Sequence, residues 1–126
     1  MAMTTGSYKL RNQSRQVDVA DHVEQAISFW GKSRGLLGRR SLPAGQALWI
    51  RGSDLVACNS IHTFFMLFAI DAVFVDRDLI VKKIYRDLRP WRVTLPAFGA
   101  HSVFELAAGT LQHRPVDVGD QLHVGD

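Results

Sequence analysis

Cys58 and His62 are the first pair in this sequence whose side chains could act together. A thiolate beside an imidazole can attack a carbonyl, provided the base comes within about 3 Å of the sulfur. Four residues along an extended strand span roughly 13 Å, so the pair meets only if Asn59-Ser60 forms a turn. A small buried thiol beside a structural histidine is the plainer reading. His62, Asp71, His101 and Glu105 offer imidazole and carboxylate ligands of the kind zinc accepts. None sits at a diagnostic helical spacing, so neither a metal site nor any cofactor is expected. No convergent catalytic set is expected either.

Asp71 interrupts an apolar run, Phe64 to Val75. A carboxylate there must find a partner, and an ion pair with Arg92 or Arg39 is the expectation. Trp91 and Arg92, in a loop bracketed by Pro90 and Pro96, form a pair able to stack on a sugar, a base or an aromatic side chain. Trp30 and most of the phenylalanines are assigned to the core. The candidate ligand-binding residues are therefore Cys58, His62, Asp71, Trp91, Arg92 and Glu105.

These residues need a scaffold. At 126 residues, 47% hydrophobic and 21% charged, the chain fits one globular domain. Residues 1–6 are expected to be disordered and 7–126 to form a single β-rich unit. Tyr8 to Asn12 and Arg15 to Val19 read as short strands. Asp21 and Glu24 resemble a capping box, and Val23, Ala26, Ile27 and Trp30 follow at helical spacing, predicting a helix over Asp21 to Arg34. Gly35-Leu36-Leu37-Gly38 then reads as its C-terminal cap rather than as an anion loop. Gln46 to Arg51, His62 to Phe68, Asp71 to Asp76, Leu79 to Arg86, Ser102 to Ala107 and Gln121 to Val124 are predicted strands. Asp76-Arg77-Asp78 turns a hairpin, and Ala108 to Pro115 forms a loop or short helical turn. The strand from Leu79 mixes apolar and basic residues on both faces, as an edge strand does. The fold class is mainly β: a mostly antiparallel sandwich or open barrel with one helix in the N-terminal half.

Three blocks carry a resemblance. They are Gly35-Leu36-Leu37-Gly38-Arg39 with Leu42-Pro43 and Gly45; Thr63-Phe64-Phe65-Met66 with Ile70-Asp71-Ala72-Val73-Phe74-Val75-Asp76; and Glu105-Leu106-Ala107-Ala108-Gly109 with Gly119-Asp120. In this order, from about Arg15 to Val124, the sequence resembles the bacterial and archaeal family known as domain of unknown function 192, or uncharacterised protein family 0127. The resemblance implies a compact β-sandwich with one helix and no assigned reaction. Many members carry Trp-Met-Lys-Asn-Thr where this chain has Phe65-Met66-Leu67-Phe68-Ala69, so a site built on that lysine and asparagine does not transfer.

Charge and processing signals narrow the classes. The formal charge is +3, and its two basic clusters, Lys32 to Arg40 and Lys82 to Arg92, are weak for a nucleic-acid binder. A single cysteine builds no disulfide framework. No apolar leader is visible and no run spans a bilayer, so a cytoplasmic protein without membrane partners is expected. A non-catalytic binding module, with a small-molecule, carbohydrate or protein ligand in a groove between the Trp91 loop and Cys58–His62, ranks first. A small metal- or thiol-dependent hydrolase using His62, Asp71, Glu105 and Cys58 ranks second, and a weak nucleic-acid binder last.

Overall fold

The computed structural model describes residues 3–5, 8–27, 41–52, 59–64 and 66–125. The chain folds as β1 (Met3–Thr5), β2 (Lys9–Asn12), β3 (Val17–Ala20), β4 (His22–Ile27), β5 (Gln46–Arg51), β6 (Ile70–Val75), β7 (Val81–Leu88), β8 (Ser102–Ala107), α1 (Thr110–His113) and β9 (Leu122–Gly125). Six strands make one sheet in the order β1-β4-β5-β8-β6-β7, and β3-β2-β9 make a second. Every pairing is antiparallel except β4 with β5. The mainly β architecture is as the sequence predicts, and β7 is indeed an edge strand.

Alternation divides the large sheet into two buried faces. Trp49, Val73, Val75, Val81, Phe104 and Leu106 point toward the small sheet, where Leu10, Val19 and Leu122 meet them together with Leu111 of α1. Leu48, Ile50, Ile70, Ala72, Phe74 and Val103 point the other way, under Leu42, Met66, Ala97 and Ala100 from irregular segments. With both faces covered, β6 is buried at every position, which explains why all its residues but Asp71 are apolar.

Three expectations are corrected. The predicted helix from Asp21 is strand β4 wherever it is described, and residues 28–40, including its expected C-terminal cap, lie outside the described residues. Asp21 and His22 donate their N–H groups to the Gly45 carbonyl at 2.7 and 3.1 Å, launching β4 into parallel register with β5, His22 opposite Gln46. Ladder bonds to β5 and β1, with Val23 buried in the core, outweigh the local helical pattern. Secondly, Met3–Thr5, within the segment expected to be disordered, pair with β4 from Met3 opposite Ala26 to Thr5 opposite Glu24. Main-chain bonding at a sheet edge needs no apolar side chain. Thirdly, the described residues of His62 to Phe68 form no ladder strand: His62 makes a single bridge to Val93, and a turn follows at Phe64.

The β6–β7 hairpin is set by Asp76. One carboxylate oxygen, Oδ1, accepts the N–H groups of Asp78 and Ile80 at 2.9 and 3.0 Å, and Leu79 takes the left-handed conformation at φ 64°. At the other end, Asn12 Nδ2 donates to Asp120 Oδ2 at 2.9 Å and to the Pro115 carbonyl at 3.1 Å. Asp120 also accepts from the Asp117 N–H at 2.9 Å and from Arg15 at 2.8 Å. Burial works to raise the Asp120 carboxyl, but the bonds from Asn12, Asp117 and Arg15 together lower it below the ordinary range.

Candidate functional site

The cover over the second face is a ribbon of two irregular segments, 59–63 and 91–97. Ala97 N–H donates to Asn59 O, Thr94 N–H to Ile61 O and Thr63 N–H to Arg92 O, all within 2.8–2.9 Å. Two threonines lock it. The fully buried Thr63 donates its hydroxyl to Arg89 O at 2.6 Å and accepts the Arg92 N–H at 2.9 Å. Thr94 Oγ1 accepts the Ile61 N–H at 2.9 Å. The Pro90-Trp91-Arg92 turn therefore wraps around Thr63, and the Trp91 N–H returns to Thr63 O at 2.9 Å. This closure holds Trp91 at φ 63°, a left-handed conformation costing roughly 1–2 kcal/mol for such a residue.

Thr63, Thr94 and Ala97 are buried beneath the ribbon, and large apolar side chains are left outside. Trp91 is 57% exposed, Val93 63%, Leu95 78% and Phe98 99%, with Leu67 nearby in sequence to the first segment at 63%. Phe98 stands at the tip of a turn closed by Ala100 N–H to Ala97 O, with Gly99 at φ 81° supplying the left-handed position. The His62 and Phe64 rings stack at 5.1 Å, and Phe64 meets Trp91 at 5.9 Å. His62 Nδ1 accepts the Phe64 N–H at 3.3 Å, so in the neutral ring the proton sits on Nε2. The exposed Arg92 guanidinium lies 3.5 Å from the Pro90 and Trp91 carbonyls.

Thus His62, Trp91 and Arg92 come together, whereas Asp71 and Glu105 do not join them or each other. Asp71 lies in register with Leu106 and points toward the small sheet; Glu105, in register with Ala72 and Leu48, belongs to the opposite face. The sheet itself separates the two carboxyls, so they cannot share a metal ion or a substrate. Among the described residues Asp71 takes no arginine, Arg92 included, and Arg39 lies outside them. Its two oxygens accept the N–H groups of Asp87 at 2.9 Å and Leu111 at 3.0 Å, pinning the end of β7 and the start of α1. Two main-chain donors satisfy a buried carboxylate without a second charge. Burial pushes the Glu105 carboxyl up to about 8, with no hydrogen bond or ion pair to it among the described residues. Cys58 lies outside the described residues. Among the described residues no three His, Cys, Asp or Glu side chains gather to hold a metal ion, and no helix is long and apolar enough to cross a membrane.

Sequence reasoning missed Thr63, Thr94 and the outward row Val93, Leu95 and Phe98. The signal was Val93-Thr94-Leu95, an alternation read as loop because prolines bracket it. Phe98, which the reading of most phenylalanines as core does not single out, is the most exposed large apolar side chain described.

Comparison with known proteins agrees with this architecture. A "UPF0127 protein" of Pyrococcus abyssi is 32% identical over 111 residues, 88% of this chain and 92% of that one. A solved structure from Sinorhizobium meliloti, described as a "putative transcription regulator", superposes with a TM-score of 0.76 at 21% identity, covering 98% of this chain and 94% of its own. A protein of unknown function from Novosphingobium aromaticivorans gives the same TM-score at 20% identity, over 94% and 84% of the two chains. Residues 10–124 match the family described as "Uncharacterized ACR", and with that match this chain belongs to the domain of unknown function 192 family.

Proposed function

We infer that this chain is a non-catalytic binding module that receives an apolar, aromatic-bearing segment of a protein partner on the outer face of the 59–63/91–97 ribbon. One observation carries the reading: five of the seven large apolar side chains exposed among the described residues belong to this ribbon and its flanks, Leu67, Trp91, Val93, Leu95 and Phe98. Together they offer on the order of several hundred Å² of apolar surface, the scale of a recognition patch rather than of ordinary scatter. Carbohydrate is a poorer fit. A sugar needs polar groups all along its contact, and beyond Arg92 the outward row is Val93, Leu95 and Phe98. The exposed Arg92 at the rim favours acidic residues bordering the apolar segment.

The basic edge strand does not favour nucleic acid. Lys82 lies 3.5 Å from Asp76, Arg86 3.7 Å from Asp117 and Arg89 3.7 Å from Asp87, so carboxylates offset the charge that phosphates would need.

The test is selection from a displayed peptide library with the intact chain, followed by titration of the selected peptides. Peptides with an aromatic or aliphatic anchor and acidic flanks are expected. Trp91→Ala or Phe98→Ser should each weaken them by about 2 kcal/mol, some thirty-fold. Peptides that bind the double variant as tightly as the wild type, or a preference for glycans lost in neither variant, would refute the assignment.

A further inference from the structure

Beside its outward row of side chains, the 91–97 segment has an open main-chain edge. His62 and Val93 face each other in an antiparallel bridge. The bonds that close it, Thr63 N–H to Arg92 O and Thr94 N–H to Ile61 O, lie one residue to either side. In that arrangement the bridged residues turn their own N–H and C=O groups away from each other. Val93 therefore presents its peptide groups at the outer edge of the ribbon. Thr94 points back to Ile61, and Leu95, held extended by the proline that follows, points outward again. We propose that this edge, Val93 to Leu95, takes up the partner segment as an added strand. The segment it fits is extended, with two apolar residues one apart and an acidic residue beside them. The assignment rests on the peptide-binding role proposed for the ribbon and specifies how the peptide is held.

Among the described residues, neither Val93 nor Leu95 makes a hydrogen bond, and both are well exposed. The inner edge, by contrast, is filled. Ile61 N–H goes to Thr94 Oγ1 and Arg92 N–H to Thr63 Oγ1, so the ribbon gains nothing by turning its outer groups inward. N–H and C=O groups repeated at every second residue, ~6.8 Å apart, match the backbone of another extended chain. Pairing there lays the partner's alternate side chains beside Val93 and Leu95, on the apolar face. The edge is also short. Pro96 has no N–H with which to continue it, and the left-handed Trp91, at φ 63°, bends the chain at the other end. A strand edge so bounded accepts a peptide in one register and does not template a growing sheet.

Charge favours an acidic partner over a second copy of this chain. Arg92 is exposed, and among the described residues its guanidinium meets the Pro90 and Trp91 carbonyls, at 3.5 Å, and no carboxylate. Trp91 to Phe98 contains neither aspartate nor glutamate. A second copy laid on the same edge would bring another arginine and no acid, whereas an acidic residue next to the pairing stretch supplies the missing charge.

The probes are the peptides recovered from the displayed library, synthesised with one N-methyl amide moved along the chain. They are titrated into the full chain by calorimetry and two-dimensional amide NMR. N-methylation should weaken binding about ten-fold or more at alternate residues, and about two-fold or less between them. The Val93 and Leu95 amides should move downfield and slow in hydrogen exchange, while the Thr94 amide, already bonded to Ile61, should not. Leu95→Pro and Leu95→Ala both shorten the side chain, but only the first removes a donor, so it should bind about five-fold more weakly than the second. Arg92→Gln should weaken acidic peptides about five-fold and their glutamine analogues less than about two-fold. Peptides that bind with no alternation in the methyl series, and without protecting Val93 and Leu95, leave the apolar surface standing and overturn strand addition. A library that yields no peptide overturns both. A dimer of the chain alone, its Val93 and Leu95 amides protected before peptide is added, makes the occupant a second copy and overturns the assignment as well.

Discussion

Glu105→Gln isolates the cost of a buried carboxyl. Glu105 is 5% exposed, set between Ala72 and Leu48 on neighbouring strands, and burial alone raises it to about 8 from the ordinary 4.5. Its folded pKa lies above its unfolded one, and the acid form is the one the fold tolerates. Below about pH 4.5 both states are protonated and the residue imposes no pH-linked cost. As pH rises from there, the unfolded chain releases a proton that the folded chain retains, so stability falls until about pH 8, where both states ionise. About 3.5 pH units at 1.36 kcal/mol each set a ceiling near 5 kcal/mol, a large share of the ~5–15 kcal/mol of a typical domain. Glutamine keeps the shape and remains neutral throughout. Urea unfolding of both proteins from pH 4.5 to 9 should show stabilities within about 1 kcal/mol at the acid end. The variant should then pull ahead by at least about 2 kcal/mol at pH 8. Subtracting the two curves removes the other titrating groups. Parallel curves would show that Glu105 does not titrate abnormally. A wild type that gains on the variant with rising pH would show an ionised, paired carboxylate, and either result refutes the argument.

Asp71→Ala strands two main-chain donors, Asp87 and Leu111 N–H, and should cost about 3 kcal/mol or more in chemical denaturation, with Asp71→Asn losing less because one oxygen remains. Thr63→Val removes the hydroxyl that joins Arg89 O to Arg92 N–H; about 2 kcal/mol of stability should go, and amide exchange at Trp91 and Arg92 should accelerate more than in β8. Asp120, lowered in the folded state, contributes stability that is complete above about pH 4 and lost as pH falls through its folded value. Asp120→Asn should therefore flatten the acid limb of a stability–pH profile, and an unchanged limb would remove it as a contributor. Phe98→Ser, at a fully exposed turn tip, should leave stability to unfolding unchanged within about 0.5 kcal/mol while weakening peptide binding some thirty-fold.

What the sequence made legible tracks how local the determining force is. Ser102 to Ala107 was delimited in full, because a short apolar run between turn residues has one good solution. The Asp76 hairpin was equally readable, since the aspartate serves donors within four residues of itself. The segment from Asp21 was misread because its partners, Gln46 to Arg51 and Met3 to Thr5, lie some twenty residues away on either side. Asp71 was recognised as needing a partner, but a carboxylate in sequence advertises only charge. The donors proved to be main-chain N–H groups that any residue could supply. Of the candidate site, the exposure of Trp91 was foreseen and its neighbours were not. The ribbon that aligns Val93 with His62 is held by threonine hydroxyls, and nothing in Thr63 or Thr94 alone says which carbonyls they reach.

The two faces of the large sheet are closed in different ways, and that difference bears on where function can reside. Toward the small sheet, strands, α1 and the Asn12–Asp120 network seal a regular interface in which nearly every polar group has a fixed task. On the other face the lid is a ribbon whose inner row, Thr63, Thr94 and Ala97, carries the folding requirement. Its outer row contributes little to holding the lid down. A segment anchored from beneath by hydrogen bonds can change its outer side chains with little loss of stability. Apolar residues kept in such a row, beside a tryptophan held in a left-handed turn, stand outside the requirements of the fold and are available to a partner.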